Sequence, residues 1–130
     1  MIEKRKDVVS LAAERAFDAL GFRPGKSRLQ RTVQKRMAIA MAMKPYCNNY
    51  EIAEVLLRDR SVVYHYLQNH DNYIQHWDGY KELYDIAKIA VTDVLADYDI
   101  NQKISLLESQ ITKLVLARDE IKKKFEEATS

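Results

Sequence analysis

Cysteine is almost missing: Cys47 stands alone in 130 residues, which excludes an internal disulfide framework and any zinc site built from cysteines. Only 3 glycines and 2 prolines are present, too few to punctuate a series of hairpins. Helix formers (Ala, Leu, Ile, Lys, Glu) are spread throughout, so the chain reads as all-α. No segment approaches the ~18 consecutive apolar residues of a membrane span. The start, Met1 to Asp7, is charged and leads into an amphipathic run, not a secretory core. A cytoplasmic protein with no membrane partner is the expectation, and one lone thiol fits a reducing compartment. The length accommodates one compact domain plus an appendage and is too short for two full enzyme domains. The histidines His65, His70 and His76 do not fall together on one helical face, so neither a metal site nor another cofactor is expected. Cys47 has no local signature of a nucleophile, and an enzyme is not expected.

The near-neutral total of +2 conceals an asymmetry, since residues 1–60 carry 13 Lys and Arg against 7 Asp and Glu, and residues 61–130 carry 8 against 12. Residues 23–44 hold Arg23, Lys26, Arg28, Arg31, Lys35, Arg36 and Lys44 with no acid among them. Such a patch is either a solvated helix face or a surface that attracts a polyanion. The loop GFRPGKS (21–27) ends like a phosphate-binding loop. It lacks the spacing, however, with three residues between Gly21 and Gly25 where a Walker loop has four, and it follows a helix where that loop follows a strand.

Apolar residues at helical spacing (Val9, Ala13, Ala16, Phe17, Leu20) predict a first helix over 2–20, with Gly21 as its C-cap. A second helix is predicted over 28–44, its inner face made by Leu29, Val33, Met37, Ala40 and Met41 and its outer face by Arg28, Arg31 and Lys35, stopping at Pro45. Asn48 with Glu51 three residues on has the form of a capping box and starts a short third helix with Ile52, Val55 and Leu56 inside. Asp59 stands where an N-cap belongs, ahead of a fourth helix from Arg60 into the low seventies. There Val62, Val63, Tyr66 and Leu67 face inward, while Ser61, Tyr64, His65 and Gln68 share the outer side. Each of those four outer side chains donates or accepts hydrogen bonds and none is acidic. With Arg58 and Arg60 at the helix start, this is the composition of a helix-turn-helix, although its turn lacks the usual glycine. A generic helical bundle has the same periodicity.

The stretch MAIAMAMKPYCNNYEIAEVLLRDRSVVYHYLQNH, residues 37–70, resembles the C-terminal DNA-binding domain of the bacterial replication initiator DnaA, a helix-turn-helix related to the Trp repressor fold. The family pattern has a Met- and Ala-rich helix, a Leu/Pro-Glu-Ile turn and then Arg-Asp-His-Thr-Thr-Val-x-His. This chain has Tyr50-Glu51-Ile52 and Arg58-Asp59-Arg60-Ser61-Val62-Val63-Tyr64-His65, and the similarity extends weakly over residues 28–87. The resemblance implies base reading in the major groove by Asp59, Arg60 and Ser61, with Arg58, Val62 and His65 at neighbouring signature positions. Asp59 can accept from a cytosine amino group or serve only as the N-cap, and Arg60 can fork onto guanine N7 and O6. Arg60 replaces the family's first histidine, so the preferred site is not tied to an initiator box. Val62 replaces the second threonine and removes a backbone contact, and the paired glycines before the signature are missing. The family's basic loop is matched only in charge, by Lys26, Arg28, Arg31, Lys35 and Arg36. Nothing resembles the initiator's ATPase domain.

Tyr80, Tyr84, Ala87, Val91, Val94 and Tyr98 step by four and three, as do Ile104, Leu107, Ile111, Leu114, Ile121 and Phe125 with Arg118 interrupting. The two seams are one residue out of phase across Asp97 to Asn101, which predicts two long helices with a break, paired between chains as a coiled coil or folded back as a hairpin. The sequence therefore predicts an N-terminal helix (1–22), a helix-turn-helix domain (23–77) and a pair of C-terminal helices (78–130). The expected function is non-enzymatic binding of double-stranded DNA, as a regulator of transcription or a replication-associated factor of phage or mobile-element type. Base contacts are expected from Asp59, Arg60, Ser61, Tyr64, His65 and Gln68, and phosphate contacts from Lys26, Arg28, Arg31, Lys35, Arg36 and Arg58. The C-terminal helices would join protomers into a homo-oligomer, a dimer being favoured. The alternative is a helical scaffold protein that keeps an initiator-like fold without binding DNA.

Overall fold

The computed structural model describes residues 4–25 and 29–129. Among these the chain is all-α, with five helices: α1 (Arg5–Leu20), α2 (Gln30–Met43), α3 (Asn49–Leu56), α4 (Arg60–His76) and α5 (Tyr80–Thr129). Two compact units divide it, residues 1–97 and residues 98–130.

In the first unit α2 is the central element, packed against α1, α3 and α4. The expected single inner face of α2 is not what the structure shows. Leu29, placed on that face, is 73% exposed, and Val33 is half-buried, whereas every residue from Arg36 to Met43 is buried. A helix enclosed on all sides needs apolar character all round. The run Met37-Ala38-Ile39-Ala40-Met41-Ala42-Met43 supplies it, with small alanines allowing close approach and flexible methionines filling the gaps between neighbours. α1 lays its expected stripe, Val9, Ala13, Ala16, Phe17 and Leu20, into the core. It closes on Gly21 in the left-handed conformation (φ 63°), with the Phe22 N–H donating to Phe17 O and the two phenyl rings edge to face at 5.5 Å.

α3 opens on the expected capping box, in which the Asn48 side chain accepts from the Glu51 N–H (2.8 Å) and Glu51 accepts from the Asn48 N–H (3.1 Å). The same Glu51 carboxylate receives Arg5 of α1, Nε to Oε2 at 3.0 Å, and Arg5 also donates to Tyr46 O, so one side chain ties the start of α1 to the start of α3. The hydrogen bond from Arg5, more than its charge, holds the Glu51 carboxyl below the ordinary value of 4.5, against the opposing effect of burial. A carboxyl lowered on folding contributes stability above that value and loses it as pH falls through the folded pKa. Glu51→Gln is therefore expected to cost about 1 kcal/mol at pH 7, with the gap to the wild type closing below about pH 4.5. Thermal melts at steps from pH 7 downward read the gap, and one that does not narrow at all below pH 4.5 would exclude this origin.

α4 buries Val63 and Tyr66 and runs to His76, past the expected low seventies. Tyr73 and Trp77 stack at 3.8 Å, and the His70 Nδ1 lies 2.7 Å from the buried Tyr80 hydroxyl at the start of α5. Burial lowers the His70 pKa from its ordinary value.

The expected break after Asp97 is absent, since α5 is one helix of 50 residues. No glycine or proline lies between Tyr80 and Thr129, and a one-residue phase slip changes which face is apolar without removing any backbone hydrogen bond. The buried stripe of its first part is Tyr80, Leu83, Ala87, Val91 and Leu95, while Tyr84, Val94 and Tyr98 of the expected seam are half-buried. The stripe ends at Leu95, just before the boundary between the two units after Asp97. No hairpin forms, and residues 100–129 are exposed throughout.

Candidate nucleic-acid interface

α3 and α4 are in contact and joined by three residues, Leu57, Arg58 and Asp59. A reversal this short needs one residue in the left-handed region, and without a glycine Leu57 takes it at φ 55°. The Leu57 N–H donates to the carbonyls of Ala53 and Glu54, and the Arg58 N–H reaches back to Ala53 O at 3.0 Å, which satisfies the last carbonyls of α3. Leu57 itself is 69% exposed.

The turn presents the start of α4 to solvent. Asp59 occupies the N-cap position with extended backbone (φ −72°, ψ 153°), yet its carboxylate makes no capping hydrogen bond, so the cap role weighed for this side chain is not realised. Asp59, Arg60, Ser61, Tyr64, His65 and Gln68 are all exposed. Since residues three and four apart share a helix face, Ser61, Tyr64, His65 and Gln68 form one continuous outward stripe. Asn69 fixes the imidazole within it: its Nδ2 donates to His65 O at 2.8 Å and lies 3.2 Å from His65 Nδ1. With Nδ1 accepting, Nε2 carries the proton and remains the ring's donor. At its lower end the stripe meets a shallow groove of about 280 Å³ lined by Tyr50, Ala53, Glu54, Arg58, Asp59 and Arg60. The 62%-exposed Tyr50 was not among the predicted site residues. An exposed aromatic beside a capping box is the signal that marks it.

The basic set is less uniform than its sequence suggests. Arg36 is 3% exposed, which removes it from the expected phosphate contacts. It donates to Gly25 O at 3.3 Å and carries its guanidinium over the Phe22 ring, 5.9 Å from the centroid. Arg58, half-buried, donates to the same Gly25 carbonyl. Two guanidiniums thus converge on one carbonyl of the loop before α2. Arg31 is exposed, with Nη1 beside Gly79 at the turn into α5, and Lys35 is half-buried. Arg23 pairs with Asp18 at 2.6 Å, and Lys44 donates to Asn49 Oδ1 at 2.8 Å. Lys26 and Arg28 lie outside the described residues. Among the described residues, Arg60, Ser61, Tyr64, His65 and Gln68 thus lie on α4 with Asp59 just before it, whereas Arg36 and Arg58 turn to the Gly25 carbonyl and Arg31 and Lys35 lie on α2. Among the described residues no group of three His, Cys, Asp or Glu side chains is placed to share a metal ion, and no helix is long and apolar enough to cross a membrane.

Comparison with protein-family models, curated proteins and solved structures yields no match to this chain.

Proposed function

We propose that this chain is a non-enzymatic, double-stranded DNA-binding protein, cytoplasmic, acting as a small sequence-specific regulator or replication-associated factor of phage or mobile-element type. The outward stripe of α4 reads the major groove, and residues 98–129 join protomers. The observation that carries the reading is the exposed, acid-free stripe Ser61, Tyr64, His65 and Gln68 following a three-residue turn, with Arg60 beside it at the helix N-terminus. A major groove about 12 Å wide admits a helix, and donors and acceptors on its outer face meet base edges. The positive end of the α4 dipole and Arg60 both favour a phosphate at that end. The likeness of residues 37–70 to the initiator's DNA-binding domain supports the same assignment, with Asp59, Arg60 and Ser61 deepest in the groove.

Duplex affinity measured against salt tests this. Arg31, Lys35 and Arg58, if each neutralises a phosphate, give a fall of roughly fortyfold between 50 and 200 mM salt. No duplex binding at 50 mM salt would remove the proposal and leave the helical scaffold standing.

A further inference from the structure

From Ile100 onward α5 shows an unbroken four-three alternation, Ile100, Ile104, Leu107, Ile111, Leu114, Arg118, Ile121 and Phe125, and its apolar members are between 47% and 70% exposed. A stripe of this size left in water marks an interaction surface. Stepping back from Ile100 in the same register reaches Asp97 and then Asp93, so the seam begins where the second unit begins.

In heptad terms Ile104, Ile111, Arg118 and Phe125 take position a, and Ile100, Leu107, Leu114 and Ile121 take position d. Isoleucine at a with leucine at the central d layers favours two parallel strands. Flanking charges separate the two orientations. In a parallel, in-register pair the g position Lys103 meets the e position Glu108 of the second copy, twice by symmetry. In the antiparallel register that overlaps the same positions, Lys103 meets Lys124 and Glu108 meets Val115. The core discriminates in the same direction. Parallel pairing gathers both Arg118 side chains into one layer, where their long stems can run out to solvent, whereas antiparallel pairing sets each Arg118 against Leu107 and spoils two layers.

We infer that residues 100–125 bind a second copy of this chain as a parallel, in-register, two-stranded coiled coil, with Arg118 setting register and strand number. This rests on the self-association included in the proposed function. Its consequence is that both α4 recognition surfaces leave the coil at the same end and can address neighbouring half-sites on one duplex. Antiparallel pairing would attach them at opposite ends of a coil about 39 Å long.

The test uses the full chain with Leu107→Cys, a position exposed in the single chain, and the wild type as control, whose only thiol, Cys47, is 5% exposed. Two chains by sedimentation and near-complete disulfide linkage of Leu107→Cys on mild oxidation are expected. Two chains in which Leu107→Cys links only to Arg118→Cys would overturn the parallel arrangement and leave self-association intact. Three or more chains would overturn the strand number. A monomer at 100 μM would remove self-association itself. Arg118→Ile should raise the unfolding midpoint and admit assemblies larger than two, and an unchanged midpoint and size would show that Arg118 does not face the partner.

Discussion

Arg60→Glu combined with Gln68→Glu is expected to leave the melting temperature within a degree or two of wild type and to weaken duplex binding about a hundredfold at moderate salt. Both side chains are exposed and neither makes an ion pair among the described residues, so the fold loses little. A bidentate arginine to guanine is worth about 1–3 kcal/mol of discrimination, and each new carboxylate adds repulsion toward the phosphates of about 1 kcal/mol at contact distance in water. The single change Arg60→Ala separates the two contributions. It should flatten the preference between specific and random duplex by about 1–3 kcal/mol, while Lys35→Ala weakens both equally. Equal losses on both duplexes for Arg60→Ala would mean that Arg60 contacts phosphate only.

Arg36→Ala is expected to have the opposite profile. Its guanidinium is buried, donates to Gly25 O and covers the Phe22 ring, so truncation removes a charge-assisted hydrogen bond and leaves a cavity beside α2. A loss of about 2–4 kcal/mol is expected, a large share of the stability of a domain this size. The salt slope of duplex binding by the remaining folded protein should stay as in wild type, because a buried cation releases no counterion from DNA. A reduced slope with unchanged stability would return Arg36 to the phosphate contacts.

The contrast between these two arginines shows how far the sequence could be read. The outer stripe of α4 was legible because hydrogen-bonding residues at i, i+3, i+4 and i+7 mark one face whatever surrounds the helix. The start of α3 was legible for a similar reason, since Asn48 and Glu51 satisfy each other within one turn. Arg36 was misplaced because the charge of the whole run suggested exposure, although the seven residues after it contain nothing polar and mark α2 as the helix its neighbours enclose. The turn was harder. Nothing in the pattern shows that Leu57 accepts a left-handed backbone without glycine, because that is imposed by the packing of α3 against α4. The continuity of α5 was hidden by a phase slip, whereas the absence of Gly and Pro was the better guide.

The central claim is that the outward side of α4 enters a duplex, and backbone amide shifts of the labelled full chain, titrated with a duplex of about 20 base pairs at low salt, test it most directly. The largest changes are expected at Asp59, Arg60, Ser61, Tyr64, His65 and Gln68, with smaller ones at Arg31 and Lys35 and none along residues 104–125. Changes confined to α1 or to residues 98–129, with residues 59–68 unmoved, would contradict it.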